Sequence, residues 1–446
     1  MNWIQKSNDL LRSYAETLDR RDIPPMNEIE TGMREAALRD GSKALSVLLS
    51  EMPDHGVEGV LCNICSSQMD IIGRRDKNII SLLGEGVLSR MYYECTNKTY
   101  ASHRFPKDES LDISNTSFSP GVRRLMAKSG SNSAFEKGSI DLEEFSCIRV
   151  SAKDVERISE KIGNEIKEWK KTEIGDILEK DMSAPAIKSI PVMYVEFDGT
   201  GVPVITKEVI GRIGKQEGES AKTREVKVGC VFTQTTTDDK GRPIRDINST
   251  SYVAEIETAE EFGKRIEAEA IRRGMFNAKI LVIIGDGAVW IRNIVEERFC
   301  GAMHIVDFYH GKDHLYKLMR LLFLTDDEMK EHENEWIHWF KEENIEEIIN
   351  SAKQFCDTSS QISADVKKEI NYFIENASRM KYAEYRAMGL FLGSGVIEAS
   401  CKNVIGKRLK QSGMRWSVKG ANDIIALRCC IQSDRFDEYW EKRCAK

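Results

Sequence analysis

A chain of 446 residues is long enough for several domains, and its 41% hydrophobic and 31% charged residues let it bury real cores rather than remain disordered. Its 9 prolines and 31 glycines exclude collagen-like repeats and long flexible linkers. The 65 Lys+Arg against 72 Asp+Glu leave a net charge of −7, which on average discourages a nucleic-acid partner, so the local distribution of charge has to decide.

The first residues contain no apolar signal-peptide core, and the most apolar run, Ala278 to Ile284, is too short to span a bilayer. The expectation is a soluble, cytoplasmic protein with no membrane partner. Residues 1–50 read as helical, with Leu10, Leu11, Tyr14 and Leu18 at helical spacing. Most of the 11 cysteines are scattered and read as small buried hydrophobes. The exception is Cys62-Asn-Ile-Cys65, followed by Cys95 and then His103. A C-x2-C knuckle aims two thiolates at one tetrahedral ion, and a later hairpin supplies the remaining ligands. Leu88 to Cys95 has the aromatic character of such a hairpin strand. Lys98 stands where a fourth cysteine is expected, which leaves two readings open: a structural zinc site on Cys62, Cys65, Cys95 and His103, or a knuckle that no longer binds metal.

Beyond Pro120 the pattern is helical, and a capping-box-like Ser151-Ala-Lys-Asp154 starts a helix predicted to reach Ile166. The turn at Arg149 to Ser151 fits either a helix-turn-helix or an ordinary helical hairpin. Lys180 to Pro191 reads as a linker. Strands are then expected at Val192–Phe197, Val202–Ile205 and Val226–Gln234, a helix at Glu257–Arg273, and a strand at Lys279–Ile284. A helix at Val289–Glu297 and a strand at Met303–Phe308 follow. That order matches a ribonuclease-H-like α/β core. Residues 311–385 read as a helical, acid-rich insertion: Asp326 to Glu347 carries ten acids and two lysines. A last helix opens near Ser394.

Asp198 and Asp286 each follow a buried-type strand and precede glycine, at the sheet edge where ligands meet side chains. Glu398 lies on the helix opened by Gly393-Ser-Gly395. Together the three carboxylates are the oxygen donors that two Mg²⁺ or Mn²⁺ ions need for phosphoryl transfer, provided they converge. Each acid alone has a plainer reading as a turn former or a helix-surface charge. Asp307 and His310 are expected to hydrogen-bond, positioning the histidine beside a phosphate. From Cys401 to Gly420 there are six basic residues and no acid. Lys402, Lys407, Arg408, Lys410 and Arg415 are expected to neutralise DNA phosphates, with Trp416 stacking on an unpaired base.

The segments VEFDGTGVPV, TREVKVGCVFTQ, DINSTSYVAEIE, IIGDGAVWIRN, HIVDFYH and GSGVIEASCKNVIGKRLKQSGMRWS together resemble the ISKra insertion-sequence family of bacterial DDE transposases. The likeness extends from the Cys62 knuckle to Trp440. It implies metal-dependent cleavage and joining of DNA strands on a ribonuclease-H-like fold, with the triad on Asp198, Asp286 and Glu398. Asp307 to His310 resembles the (C/D)-x-x-H signature of the related Mutator-like transposases. The implied partners are double-stranded DNA, as terminal inverted repeats and target, and further copies of the chain. The implied layout is an N-terminal helical and zinc-knuckle DNA-binding region at 1–110, then a helix-turn-helix-like segment and linker at 111–185. The first part of the catalytic core follows at 186–310, the insertion at 311–385, and the catalytic helix with its basic region at 386–446. Two rivals remain: a catalytically silent, transposase-derived DNA-binding regulator, and an aspartyl-phosphate phosphotransferase. The second is disfavoured because Thr200 stands where a second acid is needed.

Overall fold

The computed structural model describes residues 25–54, 59–100, 102–179, 189–214, 220–323, 325–357 and 363–444. Leu10, Leu11, Tyr14 and Leu18, and most of the expected linker, lie outside them. The chain forms two compact units, one running to Ser159 and including the last residues from Lys442, the other spanning Glu160–Glu441.

The first unit opens with helix α1 (Met26–Glu51). Strands β1 (Met69–Ser81) and β2 (Gly84–Cys95) form a long antiparallel hairpin closed by Ser81 opposite Gly84. The short strand β3 (His103–Arg104) adds to β2. Helices α2 (Pro106–Ser110), α3 (Pro120–Asn132) and α4 (Phe135–Ser146) follow. The turn expected at Arg149 to Ser151 separates α4 from the next helix, α5 (Ala152–Glu179), but that helix is 28 residues long and runs on past Ile166. Val155, Ile158, Ile162 and Ile166 keep a buried stripe at helical spacing. Gly163 interrupts nothing because its missing side chain is what packing requires. A Cβ there would stand 2.0 Å from the carbonyl oxygen of Asp423.

In the second unit a five-stranded mixed sheet has the order β10-β9-β4-β5-β8. Strands β4 (Ile190–Pro203) and β5 (Thr223–Gln234) pair antiparallel, as do β5 and β8 (Ser251–Glu255). Strands β9 (Ala278–Gly285) and β10 (Met303–Val306) continue parallel to β4. Between β5 and β8 lies a small ribbon, β6 (Thr236–Thr237) with β7 (Pro243–Ile244). Two expectations are corrected here. Val192–Phe197 and Val202–Ile205 are not separate strands, because β5 stays paired with β4 through the Asp198-Gly-Thr-Gly stretch as far as Pro203. The third strand is instead β8, too short to stand out by composition.

Alternation along β4 divides its side chains between two faces. Met193, Val195 and Phe197 join a core closed by α6 (Ala259–Arg272) and α7 (Val289–Arg298), through Phe262, Ile266, Ile291 and Ile294. Tyr194, Glu196 and Asp198 point to the opposite face. After β10, helices α8 (Phe308–Leu322), α9 (Asp326–Lys341), α10 (Ile345–Asp357), α11 (Ala364–Asn376) and α12 (Tyr382–Ala387) form an all-helical stretch around buried Trp336, Phe340, Phe373 and Tyr382. The chain then returns through α13 (Gly395–Ser400), α14 (Val418–Gln432) and α15 (Phe436–Cys444).

His304 on β10 is held neutral. Burial, then the cations Arg379 and Arg292, push it down to about 4, and its Nε2 has no hydrogen-bond partner. The unfolded chain takes up this proton near pH 6.5 while the folded chain refuses it until about 4, so stability falls as pH drops through that window. Urea unfolding at pH 7 and pH 4.5 is expected to show a smaller acid loss for His304→Leu than for the parent. Equal losses would place the acid sensitivity elsewhere.

Candidate active site and metal centre

The register of β4 with β9 ends at Glu196 opposite Ile284. Carried two residues further, the same register sets Asp198 level with Asp286. Asp198 is raised above the usual carboxylate range, chiefly by burial and in part by the Asp286 charge, while the Gly199 N–H, the Cys401 thiol and His310 oppose the rise. Asp286 accepts from the Ala288 N–H at 2.9 Å and so shapes the entry into α7.

Glu398 is exposed on α13. Three residues on, the Cys401 thiol lies 3.5 Å from Asp198 Oδ2. Side chains three apart on a helix are neighbours, which puts Glu398 about one turn from the aspartate pair. Among the described residues, Asp198, Asp286 and Glu398 do not form a group of three whose oxygens all lie within 4.8 Å, as the three clustered thiols do. The arrangement is an aspartate pair with a glutamate beside it, not the closed trio expected.

What positions α13 is a ladder of β4 side chains. The Phe391 N–H donates to the Tyr194 hydroxyl at 3.2 Å, and the Ile397 N–H to Glu196 Oε2 at 2.8 Å. With the Cys401–Asp198 contact, successive residues of one strand face hold the segment at three points. Glu196 is fully buried, and burial pushes it up to about 8, so it is a neutral acid at pH 7. Its Oε1 has no hydrogen-bond partner. Sequence reasoning missed Glu196, although an acid inside the run VMYVEF is the kind of mismatch that marks a site.

Asp307 departs from its expected role. Its carboxylate accepts from the His310 backbone N–H at 2.8 Å and from the Ser394 N–H at 2.5 Å, not from the imidazole. It caps α8 and ties the start of α13 to the end of β10. The His310 ring instead lies 5.0 Å from that of His314 and lines a cleft of about 590 Å³ with Asp286, His314, Glu369 and Tyr372. His314 stacks on Tyr372 with centroids 3.7 Å apart and hydrogen-bonds Glu369 at 2.5 Å.

The basic stretch divides. Lys402, Lys407, Lys410 and Arg415 are exposed, and Lys410 Nζ donates to the Thr200 hydroxyl at 2.5 Å. Arg408 and Trp416 are corrections, because both are buried. Arg408 lies over the Trp416 ring at 5.0 Å, and the indole N–H donates to the Leu409 carbonyl at 3.1 Å. Neither presents itself to a DNA strand. A π-helical turn at Cys401–Gly406 precedes Arg408, and Trp416 lies past the helix, where its N–H donates to the Pro203 carbonyl at 3.1 Å and its carbonyl accepts from the Ile205 N–H at 2.9 Å. Buried Arg428 satisfies the loosened turn, donating to the Val404 carbonyl at 2.6 Å and to that of Asn403.

In the other unit, Cys62, Cys65 and Cys95 bring their sulfurs within 4.8 Å of one another, with Cys65 and Cys95 at 3.4 Å. The Cys62 thiol is lowered to about 6, first by the Cys65 backbone N–H, then by the Ser102 hydroxyl and the Ile64 N–H. His103, expected as the fourth ligand, is not in the group. It sits opposite Glu94, with its ring 5.8 Å from Tyr92.

These features define a mixed α/β protein with Asp198 on β4 and Asp286 just past the end of the neighbouring parallel strand β9, and with a separate cysteine cluster that can hold a metal ion. The chain belongs to the uncharacterised protein family UPF0236, whose model matches residues 26–434. No curated protein matches the sequence. Among solved structures, the chain is similar to the Drosophila P element transposase strand transfer complex at 8% identity and a TM-score of 0.23. That match covers 75% of this chain and 83% of the other. No helix among the described residues is long and apolar enough to cross a membrane.

Proposed function

We propose that the protein is a DDE-type DNA transposase, of the ISKra kind its motifs resemble, that cleaves and joins DNA strands on a ribonuclease-H-like core. The observation that carries this reading is Asp198 on β4 within reach of the charge of Asp286, which follows the adjacent parallel strand β9, with Glu398 on a helix tied to β4. The sheet order, three antiparallel strands flanked by two parallel ones on the β4 side, supports the core assignment. Residues 186–310 and 386–446 form the catalytic part in this reading, 311–385 the insertion, and 1–110 with 111–185 the DNA-recognition part.

Asp198, Asp286 and Glu398 would hold two Mg²⁺ or Mn²⁺ ions. Burial of Asp198 beside a second carboxylate fits that role, since a hard cation relieves the repulsion between them. Such ions activate a water or 3′-hydroxyl and stabilise the departing oxygen. Glu196 holds α13 by accepting its Ile397 N–H, while Tyr194 and Asp307 hold the segment leading into it by accepting the Phe391 and Ser394 N–H groups. His310 stands by Asp198, where it can hold a phosphate oxygen or a proton. The four exposed cations grip the DNA backbone, and Cys62, Cys65 and Cys95 would hold a structural Zn²⁺ in the recognition part. Synapsis of two element ends calls for a homo-oligomer acting at the bacterial nucleoid.

The test is a gel shift on the element's terminal repeats beside a Mg²⁺-dependent nicking assay on the same DNA. Binding without nicking would replace the enzyme with a DNA-binding regulator. Replacing Lys402, Lys407, Lys410 and Arg415 together by Ala is expected to flatten the salt dependence of binding by about one unit of slope per residue. Arg408→Ala should instead lower the melting temperature. An unchanged slope in the fourfold variant would move the DNA surface elsewhere.

A further inference from the structure

We propose that Ser102, not His103, closes the fourth corner of a site for a thiophilic divalent cation of the Zn²⁺ class on Cys62, Cys65 and Cys95. The proposal rests on the metal reading of the three thiols and adds the residue that completes it.

Strand pairing carries the assignment. Strands β2 and β3 run antiparallel with Glu94 opposite His103 and Tyr93 opposite Arg104. The next pair outward is Cys95 with Ser102, locked by the Cys95 N–H donating to the Ser102 carbonyl at 3.0 Å. Residues directly opposite share a face, and neighbours along a strand alternate. Ser102 therefore lies on the thiol face and His103 on the other, where its ring meets Tyr92 and Phe105. The Ser102 hydroxyl is among the groups that lower the Cys62 thiol, after the Cys65 backbone N–H. Lys98 is exposed in the turn that follows Cys95.

The thiols are already close to the spacing a cation needs. Thiolates about 2.3 Å from a tetrahedral zinc stand roughly 3.8 Å apart. The Cys65–Cys95 distance of 3.4 Å and the 4.8 Å limit on the whole group bracket that value. The Cys62 sulfur also accepts from the Ile64 N–H at 3.4 Å, the knuckle contact that orients a thiolate inward. Arg104, beside Ser102's neighbour, donates to the Leu61 carbonyl at 2.7 Å and to Glu109, tying the knuckle loop to β3. Ser102 thus offers an oxygen corner, from its hydroxyl or from a water it holds, in place of a fourth sulfur.

The full-length protein, stripped of metal and titrated with Co²⁺, tests this without reference to DNA cleavage. One equivalent is expected to give tetrahedral d–d bands with sulfur-to-metal charge transfer. Ser102→Cys should strengthen the charge-transfer band and slow metal loss to a chelator. Ser102→Ala should weaken binding roughly tenfold, and His103→Ala should change neither spectrum nor affinity. A Ser102→Cys spectrum identical to the parent's overturns the Ser102 assignment while leaving the three-thiol site standing. A parent protein that takes up neither Co²⁺ nor Zn²⁺ overturns the metal reading itself.

Discussion

Asp286→Asn is expected to reduce strand nicking by on the order of a thousandfold, about 4 kcal/mol of transition-state stabilisation, while DNA binding stays within about twofold. The reason lies in how Asp286 divides its duties. One oxygen accepts the Ala288 N–H and holds the start of α7, and an amide oxygen does this equally well. What Asn lacks is the negative charge that, with Asp198, would bind a hard cation. Fold and function therefore separate at this residue, which a deletion to Ala would not achieve. A gel shift, a melting curve and a nicking time course on the same preparation check it. Parallel loss of binding, nicking and melting temperature would mean that Asp286 serves the fold alone.

The second large effect is expected at Glu196. Glu196→Leu should slow nicking about a hundredfold, whereas Glu196→Gln should stay within a few-fold of the parent. Leucine fills the buried site but leaves the Ile397 N–H without its acceptor, so α13 loses the middle of its three ties to β4. A shift of about an ångström in Glu398 suffices for a loss of that size. Glutamine keeps a carbonyl oxygen at the same place and cannot ionise, so it preserves the tie. Nicking rates across a Mn²⁺ titration report the difference, since a displaced Glu398 raises the metal concentration needed. If Leu and Gln variants nick equally well, the position of α13 does not depend on this bond.

Some of this protein is readable from residue order alone. A run such as AKILVIIG, short, apolar past its lysine and rich in β-branched residues, reads as a buried strand, and an acid placed after it emerges at the sheet edge. Asp286 was identifiable on that ground, as were the Cys62–Cys65 knuckle by its spacing and the acid-free basic stretch by its composition. The long acid-rich tract after β10 declared itself helical by period. These are local properties, set by a few neighbouring side chains.

What the tertiary structure alone decided are matters of parity and partner. Whether Ser102 or His103 faces the thiols depends on which residue of β2 each one pairs with, and a shift of one residue would exchange them. Arg408 and Trp416 look like surface residues until the Arg408 guanidinium lies over the indole and the Trp416 backbone pairs with Pro203 and Ile205, far back along the chain. Glu196 reads as a misplaced charge in a strand until the Ile397 N–H arrives from another element to meet it. In each case a contact between distant segments overrides the local pattern, because buried polar groups must find partners wherever the fold brings them.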